Sequence, residues 1–124
     1  MKKEPIHPQG APVAGPYSPG VRAGDLLFTS GQLPARLSGE LVADDIRAAT
    51  RQCLENVRRV LEAGGARLEN VVKVTVFLAD MVDFAAMNEA YSAFFPNVRP
   101  ARTCVQVAAL PKGARIEIEA IAAL

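Results

Sequence analysis

Apolar and polar positions along this chain follow two periods, and the switches between them mark its elements. Val21 opens a short apolar run that breaks at Ala23-Gly24-Asp25 and resumes as LLFTSGQL over 26–33. Two such runs around a Gly-Asp turn predict a hairpin. ARLSGEL over 35–41 is a polar loop. Asp44 or Asp45 can then cap a helix, because a carboxylate there accepts from free N–H groups of the first turn. Ile46, Cys53, Leu54, Val57, Val60 and Leu61 follow at helical spacing, with Arg47, Arg51, Glu55, Arg58, Arg59 and Glu62 on the other face. Gly64-Gly65 is a stop signal. VVKVTVFL over 71–78 is β-branched and apolar on both faces, so it predicts a central, largely buried strand. Asp80 or Asp83 can cap a second helix with Phe84, Met87, Tyr91, Phe94 and Phe95 on its apolar side, ended by Pro96 and Pro100. PARTCVQVAALPKGARIEIEA over 100–120 predicts two strands joined by a short turn.

The predicted order is β-β-α-β-α-β-β. Two amphipathic helices against a mostly antiparallel or mixed sheet make a two-layer α+β fold, with both helices on one face. The opposite face has no helix left to cover it. A sheet apolar on both sides does not leave one of them wet, so a partner subunit is the expected cover.

The length of 124 residues suits one domain spanning 1–124. Its first 16 residues form an extended arm, in a 1–20 segment dense in proline (Pro5, Pro8, Pro12, Pro16, Pro19) and glycine (Gly10, Gly15, Gly20). That segment predicts no regular structure, although Tyr17 sits between two turn signals in GPYSPG. A net charge of +1 and the absence of a basic run with interleaved aromatics argue against nucleic acid as a partner. No apolar stretch reaches the roughly 18 residues that span a bilayer, so no membrane is expected. MKKEPIHPQG lacks the apolar core of a signal peptide, which makes a cytoplasmic location the expectation. Cys53 and Cys104 are then expected as free thiols. The single histidine, His7, lies in the arm and is expected to be solvated, and no metal-ligand spacing occurs. No GxGxxG, GxxxxGK[ST] or GxSxG motif is present, so any activity is expected to need no cofactor.

The candidate chemistry gathers in the last two strands. Alternation puts Arg102, Cys104 and Gln106 on one face of the first and Thr103, Val105 and Val107 on the other. In the second, Arg115, Glu117 and Glu119 share a face, with Ile116, Ile118 and Ile121 mainly on the other. A guanidinium suits a planar carboxylate, since it donates two parallel hydrogen bonds. A glutamate nearby can hold a water or move a proton. Cross-strand or intersubunit ion pairs on a solvated face explain the same residues. Were the two strands a simple hairpin, Glu117 would face Gln106, about 13 Å along the sheet from Arg102. Cys104 is either a nucleophile or a packed thiol, and no histidine is at hand to activate it. Tyr17 either packs the arm down or lends its hydroxyl to a site. Ser30-Gly31 marks a bulge or a close backbone approach. Asn88, beside Met87, bridges or faces a pocket.

Five blocks taken together resemble the RidA/YjgF family of enamine/imine deaminases. They are GPYSPG (15–20), LLFTSGQLP (26–34), NVRRVLEAGGA (56–66), VVKVTVFLADMVDFAAMNEAYSAFFP (71–96) and PARTCVQVAALPKGARIEIEAIA (100–122), and they cover nearly the whole chain. The resemblance implies a chorismate-mutase-like fold and a homotrimer with active sites between subunits. It implies cofactor-free hydrolysis of the imine tautomers of 2-aminoacrylate and 2-aminocrotonate to 2-keto acids and ammonia, which protects pyridoxal-phosphate enzymes from these species. The family's carboxylate-binding arginine matches Arg102, and its acid/base glutamate matches Glu117. Its cysteine matches Cys104, which contributes a backbone N–H as much as a thiol. Tyr17, Ser30, Gly31 and Asn88 match positions that line the cleft in relatives, while the 93–102 connection at its rim varies in length. Two other functions stand beside this one. One is a 2-keto acid or small-carboxylate binding protein without turnover. The other is an interaction protein of the kind proposed for relatives in translation inhibition or chaperoning.

Overall fold

The computed structural model describes residues 2–11, 13 and 15–124. Met1, Pro12 and Ala14, which fall in the predicted arm, lie outside the described residues. The elements are β1 (Lys3–Ile6), β2 (Gly20–Ala23), β3 (Leu26–Thr29), α1 (Ile46–Ala63), β4 (Val71–Leu78), α2 (Phe84–Ser92), β5 (Ala101–Gln106) and β6 (Ile116–Ala123). The strands form one six-stranded sheet in the order β1-β2-β3-β6-β4-β5. Only the β4–β5 pair is parallel, which makes the sheet mixed.

Local signals account for most boundaries. β2 and β3 pair through a Gly24-Asp25 turn in which Gly24 takes φ 59°. Asp45 caps α1 by accepting from the Arg47 N–H at 3.0 Å. The helix stops at Gly64, and Gly65 follows at φ 87°. The apolar stripe of α1 packs its Cys53, Leu54, Val57 and Leu61 against Leu27, Val74, Val76, Ile116 and Ile118 of the sheet, all fully buried. At ~1.5–3 kcal/mol for each large apolar side chain removed from water, this layer is the main stabilising contact.

Several expectations change. The arm is not irregular throughout, because Lys3–Ile6 adds an edge strand to β2. Pro5 is tolerated there because an edge strand has one side without ladder partners. Only Ile6 of that strand is buried, so no alternation signalled it. The second strand ends at Thr29, and Gln32 re-enters the sheet only as an isolated bridge to Ile118. β5 and β6 are not a hairpin, since β4 lies between them and pairs with both. Asp83 precedes α2 but does not cap it with its side chain; its carboxylate accepts from Arg115 at 2.8 Å. Asp80 caps the preceding single turn instead, through Val82 N–H.

β4 is an interior strand but lies next to the edge strand β5, and only one of its faces is deeply buried. Val71, Val74, Val76 and Leu78 lie under the helices, while Lys73, Thr75 and Phe77 are half-buried on the reverse. In β6 the buried set is Ile116, Ile118, Ala120 and Ala122. Ile121 therefore shares a face with Glu117 and Glu119, not with Ile116 and Ile118. The helix-free face also carries Leu26, Phe28 and Val105, each 39% exposed.

Candidate functional site

Glu117 sits near the start of β6, on the helix-free face opposite Phe77. Gln32 exchanges backbone hydrogen bonds with Ile118 at 2.7 and 3.1 Å, which brings Gly31 directly beside Glu117. A Cβ at position 31 would fall on the Glu117 carboxylate. The glycine is thus the space that the carboxylate occupies. Partial burial pushes the Glu117 carboxyl above its usual range, and the neighbouring Glu119 charge adds to the rise. Ser30 spends its donors on the arm. Its hydroxyl donates to Ser18 O at 2.6 Å and its N–H to Pro19 O at 2.8 Å. That holds the Tyr17 loop over Gly31. A cavity of about 440 Å³ opens here, lined by Tyr17, Ser30, Gly31 and Glu117 together with Asn56, Arg59 and Lys112.

Arg102 belongs to β5, opposite Val74, and so lies on the helix side of the sheet. Its guanidinium carbon stands 4.7 Å from the centroid of Tyr91 and 5.7 Å from that of Phe84. Its Nη1 is 3.9 Å from Met87 Sδ. All three partners project from one face of α2, at relative positions 0, 3 and 7, and Asn88 lies among them. Asn88 Oδ1 and the Tyr91 hydroxyl are buried without a hydrogen-bond partner among the described residues. Burial pushes the Tyr91 phenol up to about 12, against the pull of Arg102 and Arg99. Cys104 shares the Arg102 face and packs against the core. Burial raises its thiol pKa despite the nearby Arg102, which keeps it protonated at neutral pH and favours the packed reading of the side chain.

The backbone of β5 adds a further donor. Val107 N–H donates to Leu78 O at 2.9 Å, so alternate residues back along the strand face β4. The intervening residues, Arg102 and Cys104, therefore turn their N–H groups toward the outer edge, where β5 is the last strand.

The matched residues thus divide into two groups. Tyr17, Ser30, Gly31 and Glu117 surround the cavity, and Asn88, Arg102 and Cys104 do not line it. β4 positions 74 and 77 differ by an odd number, so Arg102 and Glu117 point to opposite faces. Among the described residues neither of them has an ion-pair partner, whereas Arg115 pairs with Asp83. Also among the described residues, no three His, Cys, Asp or Glu side chains converge as metal ligands, and no helix is long and apolar enough to cross a membrane. Sequence reasoning did not single out Lys112, Asn56 or Arg59 for the cavity, nor the rings of Phe84 and Tyr91 for Arg102. The helical spacing of Phe84, Met87 and Tyr91 carried that second signal, read there only as the apolar side of the helix.

Comparison with known proteins is consistent along nearly the whole chain. A family model described as Endoribonuclease L-PSP matches residues 8–124. A RutC family protein of Pyrococcus horikoshii is 52% identical over 122 residues, covering 97% of each chain. A 2-iminobutanoate/2-iminopropanoate deaminase of Salmonella typhimurium is 49% identical over 121 residues, covering 94% of each. The crystal structure of E. coli TdcF with bound serine superposes with a TM-score of 0.92 at 44% identity, covering 98% of each chain.

Proposed function

The chain belongs to the endoribonuclease L-PSP family, also called YjgF/RidA, and we propose that it hydrolyses 2-imino acids to 2-keto acids and ammonia. The carrying observation is a pair of half-buried, opposite charges, Arg102 and Glu117, each without an ion-pair partner among the described residues. Related proteins named 2-iminobutanoate/2-iminopropanoate deaminase support the substrate class. The substrates are the imine tautomers of 2-aminoacrylate and 2-aminocrotonate, and the role is protection of pyridoxal-phosphate enzymes in the cytoplasm.

The active site forms between subunits of a homotrimer. The helix-free sheet face packs against a neighbour, and Glu117 of one copy approaches Arg102 of the next. Arg102 grips the substrate carboxylate through two parallel N–H donors. The edge-facing Cys104 N–H adds a third. Asn88 lines this side, while Tyr17, Ser30 and Gly31 line the side that holds Glu117. Water adds to the imine carbon and its proton passes to the nitrogen, giving a carbinolamine. The C–N bond then breaks, the carbonyl forms and ammonia leaves. Glu117, with its raised pKa, takes the proton from water and returns it to the departing nitrogen. The step is redox-neutral and needs no cofactor.

The test is decay of iminopropionate generated in situ by a dehydratase, followed together with ammonia release. Wild-type protein accelerates both, and Arg102→Ala abolishes the acceleration. Decay that Arg102→Ala leaves unchanged overturns the role of Arg102. Binding of 2-keto acids with no gain in ammonia release identifies a carboxylate-binding protein instead.

A further inference from the structure

The guanidinium of Arg102 is held in an unusual way for a half-buried cation. No carboxylate meets it among the described residues. Its neighbours are the rings of Tyr91 and Phe84 and the sulfur of Met87. An aromatic face attracts the cation through its quadrupole and accepts none of its in-plane N–H bonds. A carboxylate would hold the group equally well but would occupy the donors that a ligand needs. The Tyr91 hydroxyl is buried with no hydrogen-bond partner among the described residues, so a hydrogen bond does not explain this residue; the ring does. Phe84, 39% exposed at the start of α2, contributes little to the core, and its contact with Arg102 accounts for a large apolar ring at that place.

We infer that Tyr91 and Phe84 are positioning residues for Arg102, which hold its guanidinium against their ring faces and leave the edge donors that do not face Met87 Sδ free for a ligand carboxylate. The inference rests on the reading of Arg102 as the carboxylate anchor. Without the rings the arginine swings through solvent, and each binding event must immobilise it again. Affinity falls while the chemical step, which takes place at the imine carbon, is untouched. Binding and turnover therefore separate.

The test measures KM and kcat for in situ iminopropionate, and the Kd of 2-oxobutanoate by calorimetry, for Tyr91→Leu, Phe84→Leu, Tyr91→Phe and Arg102→Ala. Each leucine variant is expected to raise KM and Kd about 5- to 10-fold, with kcat within about twofold. Tyr91→Phe keeps the ring and is expected to restore the affinity lost in Tyr91→Leu. Loss of binding in Arg102→Ala with wild-type binding in folded Tyr91→Leu and Phe84→Leu overturns the inference alone. Wild-type binding in Arg102→Ala overturns the reading of the anchor and the inference with it. Should Tyr91→Leu not fold, Phe84→Leu decides, since its ring is largely outside the core.

Discussion

Arg102 and Glu117 stand on opposite faces of one sheet, with β4 between their strands. No side-chain rotation brings them to the same small molecule within a single chain. A site that uses both is shared between copies.

Subunit mixing follows from this arrangement. Arg102→Ala and Glu117→Gln are each expected to be inactive as pure proteins. Mixed one to one and allowed to exchange subunits, they regain about one quarter of wild-type activity, because one interface in four then joins an intact Arg102 to an intact Glu117. The measurement is ammonia release before and after exchange. A mixture that stays inactive after verified exchange places both residues in one chain's site.

Glu117→Gln is expected to lower kcat by about 100-fold or more and to raise Tm at neutral pH. The sign follows from the raised carboxyl pKa. Its favourable contribution is fully present below the ordinary glutamate value of ~4.3 and is lost as pH rises through the higher folded-state value. Thermal unfolding from pH 4 to 8 should therefore show the variant's advantage growing with pH. An advantage that shrinks as pH rises contradicts the assigned shift.

Gly31→Ala is expected to fold and to lose about 100-fold in kcat. Its added methyl occupies the place of the Glu117 carboxylate and displaces it. Gly31 is not among the glycines with positive φ, so the effect is contact and not backbone strain. Kinetics with a parallel Tm measurement separate the two causes. Wild-type kcat in this variant removes Glu117 from the chemistry.

Asn56→Ala is expected to destabilise the protein by about 1–3 kcal/mol in urea unfolding. The Asn56 amide donates to Leu33 O at 3.0 Å and Ala35 O at 2.8 Å, and these two bonds anchor the chain after Gly31 to α1. A stability within about 0.3 kcal/mol of wild type shows that water replaces the amide.

Local chemistry carried much of this protein in its sequence. The 3.6-residue stripe from Ile46 to Leu61, the Asp45 cap, the Gly64 stop and the Gly24 turn each depend on neighbours within a few residues, and each lies where the spacing predicts. The helix-free sheet face was legible too, because both amphipathic helices were expected on one side of a mostly antiparallel or mixed sheet. Strand adjacency was not. Whether β6 pairs with β5 or with β4 is decided by contacts between residues far apart in the chain, such as Val76 with Ile118, and no short window holds that information. The N-terminal strand was hidden because only Ile6 is buried, which leaves no alternation to read. The tertiary structure alone parted Arg102 from Glu117, since the face a residue occupies depends on the register of its strand against β4.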